Sequence, residues 1–170
     1  QNRGAYGIKL NGGGASGSVS TGAGAPGAII ADNSFDSLTG KWTTAVGLEA
    51  PTANAVVTGN QFSNLTTNPA GGGVVAIHFQ NNPDGDTVTV SDNRFLNNDF
   101  AGVAVQPDDL PGGVNGYDYI VTAENNWWNA SDGPSDPGGV VGSGATGSGA
   151  VVGLNVDFDP WLTANSIVKI

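Results

Sequence analysis

The 170-residue chain contains no cysteine and no methionine, one histidine, and only five lysines and arginines against fifteen acids. Without cysteine, no disulfide framework holds the fold. The formal charge of −10 argues against nucleic acid, because neutralising phosphates takes clustered cations. Arg3, Lys9, Lys41, Arg94 and Lys169 are scattered along the chain. No apolar run approaches the roughly 18–20 residues of a membrane span, so membrane insertion is not expected. Extended runs of Ala, Leu, Glu and Lys, the strong helix formers, are also scarce. What is abundant is glycine, 28 residues, together with Asn and Asp, which mark turns. These features predict a single all-β domain.

Four stretches share one pattern: AIIADNSF ending at Phe35, AVVTGNQF ending at Phe62, VTVSDNRF ending at Phe95, and YIVTAENNWW around Trp127. Alternating apolar residues indicate a strand, and each strand closes on Asn-x-aromatic. Aligning Asn33, Asn60, Asn93 and Asn125 gives spacings of 27, 33 and 32 residues. A second series lies upstream of each: GIKLN (7–11), VGLE (46–49), AIHFQ (76–80) and GVAVQ (102–106). There Ile8 and Leu10, Val46 and Leu48, Ile77 and Phe79, and Val103 and Val105 are the inward pairs. Lys9, Gly47, His78 and Ala104 fall outward. Two strand words recurring in fixed order, with turns of variable length, predict a β-solenoid of about four rungs. A β-sandwich also uses short strands, but has no reason to repeat inward residue types at a near-constant interval.

Stacked rungs place like on like. Phe35, Phe62, Phe95 and Trp127 form the expected core aromatic column. Asn33, Asn60, Asn93 and Asn125 form the expected structural ladder at the bend, where asparagine bonds the next rung and tolerates unusual backbone angles. The rungs fall at about 1–40, 41–68, 69–100 and 101–129, followed by a closing segment (130–164) and a C-terminal strand (165–170).

The N-x-F words at rung intervals resemble those of right-handed parallel β-helix proteins of the pectate-lyase-like superfamily. NNWWNASDGPSDPGG (125–139), followed by VVGLNVDFDPWLTA (151–164), is similar to the closing turn of such proteins. The resemblance covers most of the chain and implies a right-handed parallel β-helix. It says little about activity, since this fold hosts lyases, hydrolases, adhesins and structural proteins.

A lyase of this kind would hold calcium with acids and use a basic residue as proton acceptor. Arg94 occupies a variable spacer position whose counterparts are Ser34, Gln61 and Asn126, and reads as a solvated side chain. Asp108-Asp109 sits in a Pro/Gly-rich loop and reads as a turn. His78 is the lone histidine, on an outward strand position. Asp84 and Asp86 flank Gly85 in NNPDGDTV, where calcium could be held, as it could in DGPSDPGG (132–139), but the other ligands of a calcium loop are missing and both read first as turns. Asn64 and Asn129 begin glycosylation-type triplets of the sort an Asn/Ser/Thr-rich chain produces by chance. Trp42, Tyr117 and Trp128 are too few for an outward sugar platform. No catalytic, cofactor-binding or metal-ligating set emerges, and an enzyme is not expected.

The first rung has no amphipathic cap, and an unblocked strand edge is a template for another chain. The tail ANSIVKI alternates, and its Ile167 and Ile170 have no place in a rung. The expected assembly ends are therefore Ile8 and Leu10 on one side and Ile167, Val168 and Ile170 on the other. The reading is a non-catalytic structural solenoid, secreted to the prokaryotic cell surface or beyond after signal-peptide removal. Its partner is itself, joined head to tail in a filament or surface layer. The alternative is a carbohydrate-binding or polysaccharide-processing module, with glycans as partners, at the end of a larger surface protein or phage fibre.

Overall fold

The structure is a computed structural model that describes residues 5–11, 27–40, 43–49, 54–67, 74–80, 88–98, 101–105, 121–136, 143–153 and 156–165. Among the described residues there is no helix, and every pair of strands runs parallel. One sheet has the order β1 (Ala5–Asn11), β5 (Thr43–Glu49), β9 (Val74–Gln80), β12 (Ala101–Val105), β14 (Val151–Val152). A second runs β15 (Val156–Asp157), β13 (Val121–Thr122), β10 (Val88–Ser91), β6 (Ala55–Thr58), β2 (Ile29–Ala31). Two shorter sheets are β11 (Arg94–Leu96), β7 (Gln61–Ser63), β3 (Ser34–Asp36) and β4 (Thr39–Gly40) with β8 (Thr66–Thr67). Parallel partners cannot be joined by a hairpin, and here each strand pairs with the strand one sequence repeat away.

The alternation seen in the sequence sets the burial. In β10, Val88 and Val90 are buried while Thr89 is exposed; in β6, Ala55 and Val57 are buried. β5 departs from this. Residues 43–48 are all buried, Gly47 included, so the expected outward position of Gly47 is not an exposed one. Ala104 is half-buried, and the side chains of Lys9, His78 and Phe79 lie outside the described residues.

Between the second and third sheets each repeat turns one corner in the same way. Asp32, Gly59, Asp92 and Asn125 adopt φ of 59°, 66°, 57° and 58°. This left-handed region is open to glycine and least costly, among other residues, for Asn and Asp. An asparagine follows each, and its side chain points inward. At the next corner Ser37, Asn64 and Asn97 repeat the left-handed turn, with φ of 56°, 54° and 51°.

Behind the corner the aromatic residues stack. Ring centroids lie 5.1 Å apart for Phe35–Phe62, 5.4 Å for Phe62–Phe95 and 4.8 Å for Phe95–Trp128. The column requires small residues opposite it. In the β1–β5–β9–β12 sheet the pairing steps over one position, the one between Tyr6–Thr44 and Ile8–Val46. Gly7, Ala45 and Gly102 occupy that position in their strands. A Cβ on Gly7 would lie 2.8 Å from Phe35 Cδ1, and one on Gly102 would lie 3.0 Å from both Phe95 Cγ and Trp128 Cζ3.

Candidate functional site

The corner asparagines form a directional hydrogen-bond ladder. Asn33 donates its backbone N–H (2.9 Å) and its Nδ2 (3.0 Å) to Asn60 Oδ1. Asn60 donates the same two groups to Asn93 Oδ1, both at 3.0 Å. Asn93 donates them to Asn126 Oδ1 at 2.9 and 3.1 Å. Each Nδ2 also reaches a carbonyl of the preceding repeat: Asn60 to Ile30 O, Asn93 to Val57 O and Asn126 to Val90 O, all at 2.8 Å. Asn60, Asn93 and Asn126 are buried, and every side-chain amide of these three residues is hydrogen-bonded, as buried polar groups require.

The fourth member is Asn126 and not the expected Asn125. Asn125 takes the left-handed corner position of Asp32, Gly59 and Asp92. By the same one-residue step, Trp128, fully buried, completes the aromatic column instead of Trp127. Trp127 pairs beside Arg94; its N–H donates to Asn93 O as Arg94 N–H does to Asn60 O. The outward counterpart of Arg94 is therefore Trp127, not Asn126. The doublets in Asn125-Asn126-Trp127-Trp128 allow two frames, and the 33-residue step from Asn60 to Asn93, repeated from Asn93 to Asn126, selects the right one. Trp128, weighed as an outward aromatic, is core; Trp42 and Tyr117 lie outside the described residues.

The two ends of the ladder differ. At the far end, Asn125 N–H donates to Pro160 O, and Leu162 N–H to Asn126 O. Residues 156–162 thus occupy the layer after Asn126. Trp161 packs over Gly133 and donates Nε1 to Ser131 O at 3.3 Å. Asp132 Oδ1 accepts from Ser148 N–H and Oγ, and these bonds, the backbone one foremost, hold its carboxyl below the usual range. At the near end, β1, β2, β3 and β4 are each the outermost strand of their sheet. Asn33 Oδ1, the acceptor that receives two bonds in every later repeat, receives none among the described residues, and Asn33 is exposed. Ile29 in β2 is 72% exposed, the one large hydrophobic residue so exposed among the described residues. Ile8 in β1 is half-buried. The side chain of Leu10, and Ile167, Val168 and Ile170 altogether, lie outside the described residues.

Two further polar groups were not anticipated from the sequence. Asp36 Oδ1 accepts from Ser63 Oγ (2.6 Å) and Asn64 Nδ2 (2.9 Å), and its Oδ2 from Ser37 Oγ (2.9 Å). These bonds, Ser63 foremost, lower the Asp36 pKa. Asn98 bridges repeats, accepting from Leu65 N–H and donating to Phe62 O.

Of the residues considered for catalysis, Arg94 is half-buried rather than fully solvated, and pairs with Trp127 in the neighbouring repeat. Its Nε is buried without a partner. It lines a shallow depression of about 210 Å³ with Asp32, Asn33, Ser34, Gly59, Asn60 and Gln61. Asp84, Asp86, Asp108 and Asp109 lie outside the described residues. Among the described residues no three His, Cys, Asp or Glu side chains gather as metal ligands would, and no helix is long and apolar enough to cross a membrane.

No protein-family model, curated protein or solved structure matches the chain.

Proposed function

We propose that the chain is a secreted, non-catalytic structural β-solenoid, wound as a right-handed parallel β-helix, whose subunits assemble head to tail into an extracellular filament or surface layer. The observation carrying this reading is the asymmetry of the two ends. One end is covered by residues 156–162, while the other leaves four edge strands and the acceptor of Asn33 without a strand partner among the described residues. Open edges recruit strands, and a contact between unlike ends does not close on itself, so it propagates. The like-on-like stacking of four repeats supplies the rigidity that a fibre needs. The acidic surface keeps neighbouring filaments apart through like-charge repulsion.

Sedimentation velocity of the full chain beside Ile29→Lys tests this. Ile29 is exposed at the open edge, and an edge lysine blocks strand addition. The expected result is concentration-dependent polymer for the parent and monomer, equally heat-stable, for Ile29→Lys. Monomer in both samples contradicts the proposal.

A second reading, a carbohydrate-binding or polysaccharide-processing module, draws on the Arg94 depression alone. Its guanidinium, the Asp32 carboxylate and the Gln61 amide offer mixed donors and acceptors of the kind that hydroxyl groups need. Glycan-array binding that is lost in Arg94→Ala would favour it.

A further inference from the structure

The four corner words are Asn33-Ser34-Phe35, Asn60-Gln61-Phe62, Asn93-Arg94-Phe95 and Asn126-Trp127-Trp128. A further triplet of the form Asn-x-apolar, one of several outside the ladder with Asn54-Ala55-Val56, Asn98-Asp99-Phe100 and Asn115-Gly116-Tyr117, stands near the C-terminus: Asn165-Ser166-Ile167. Asn165 takes no part in the ladder of its own chain. The layer that would hold it is filled by the closing segment, through Asn125 N–H to Pro160 O and Leu162 N–H to Asn126 O. Asn165 is exposed, three residues beyond Leu162, and follows a run of bends at 163–165. Among the described residues, one end of the molecule therefore has an empty ladder acceptor, and the other has a corner asparagine with no ladder to join.

We infer that Asn165–Ile170 of one copy docks as the missing layer on the open edge of a second copy. Asn165 donates its N–H and Nδ2 to Asn33 Oδ1, and Ser166–Val168 pair in parallel with β3. This rests on the head-to-tail reading and names the segment that makes the contact. The direction is right: in every observed step the earlier layer donates and the later layer accepts. The register then sets Ser166 against Ser34, Ile167 against Phe35 and Val168 against Asp36. Ile167 continues the apolar column, and Lys169 falls against Ser37.

The contact has to be made between copies. Parallel layers are about 4.8 Å apart, so the layer before Asn33 lies about 24 Å from the layer of Leu162. The three residues from Leu162 to Asn165 reach at most about 11 Å.

The absence of native cysteine makes cross-linking a direct test. Paired residues on adjacent parallel strands lie within the roughly 4.4–6.8 Å that a disulfide spans. The variants Ser34→Cys, Ser166→Cys and the double variant are prepared, oxidised and run on non-reducing gels, with the polymeric state of each followed by sedimentation. Ser34 is exposed, and an unchanged melting temperature checks its fold. The expected result is a heterodimer when the two single variants are mixed, none from either alone, and a ladder of multimers from the double variant. Polymer that sediments but does not cross-link, or homodimers of Ser34→Cys, overturns this docking while leaving head-to-tail assembly standing. Absence of polymer from the parent protein overturns both.

Discussion

Replacing Asn93 by alanine removes the middle of the ladder, and its cost follows from the bonds left unmade. Asn93 Oδ1 accepts from Asn60 N–H and Nδ2, while its own Nδ2 donates to Val57 O and Asn126 Oδ1. Asn60 Nδ2 keeps Ile30 O and Thr58 O, and Asn126 Oδ1 keeps the Asn93 N–H. The Asn60 N–H loses its acceptor in a buried corner, a loss of about 1–3 kcal/mol, and Val57 O loses a side-chain donor worth about 1 kcal/mol. The expected destabilisation is about 2–4 kcal/mol. For a domain of this size that lowers the melting temperature by roughly 4–16 °C. Asn33→Ala is the internal control, because Asn33 is exposed and Asn60 Oδ1 keeps the Asn33 N–H. Its cost stays below about 1 kcal/mol. Urea unfolding of monomeric samples, followed by tryptophan fluorescence and circular dichroism, measures both. Equal losses at the two positions, or less than about 0.5 kcal/mol for Asn93→Ala, would refute the ladder as a source of stability.

Three other outcomes are expected. Trp128→Ala, at a fully buried ring, costs about 3–5 kcal/mol, while Trp127→Ala costs far less; equal effects in the same unfolding assay contradict the frame assigned to the fourth repeat. Gly102→Val overfills the space against Phe95 and Trp128 and destabilises by about 1–3 kcal/mol, so a neutral result would mean that the column is loosely packed. Asp36 has a depressed pKa in the folded chain, so its contribution is present above its unfolded value and is lost as pH falls through the folded one. The Asp36 carboxyl followed by NMR titrates below an ordinary aspartate, and Asp36→Asn loses less stability than the parent between neutral and acid pH. Titration at or above the ordinary aspartate value contradicts the bonds from Ser63, Asn64 and Ser37.

The strands, the corner asparagines and the inward phenylalanines were legible because each is dictated locally and then repeated. A valine alternating with threonine in β10, or an Asn-x-Phe word, carries its physics in a few residues. The fourth repeat was legible only in part. Doubling both the asparagine and the tryptophan erases the local frame, and only the pairing with Arg94 and Asn93 separates Asn125 from Asn126. The closing segment was not legible at all in its contacts. Gly133 under Trp161, Asp132 on Ser148 and Leu162 on Asn126 occur once each, between residues 16 to 36 positions apart, with no period to announce them. The burial of Gly47 escaped for a related reason, since alternation within a strand carries no information about what covers its outer face.

Electron microscopy of the full-length protein over a range of concentrations tests the central claim most directly. Among the described residues four ladder layers and the closing layer make five, and a docked C-terminal layer makes six, which gives an axial repeat of about 29 Å at about 4.8 Å per layer. The account predicts unbranched filaments of uniform width with that axial repeat, absent when residues 165–170 are removed. Dispersed single particles at every concentration would contradict it.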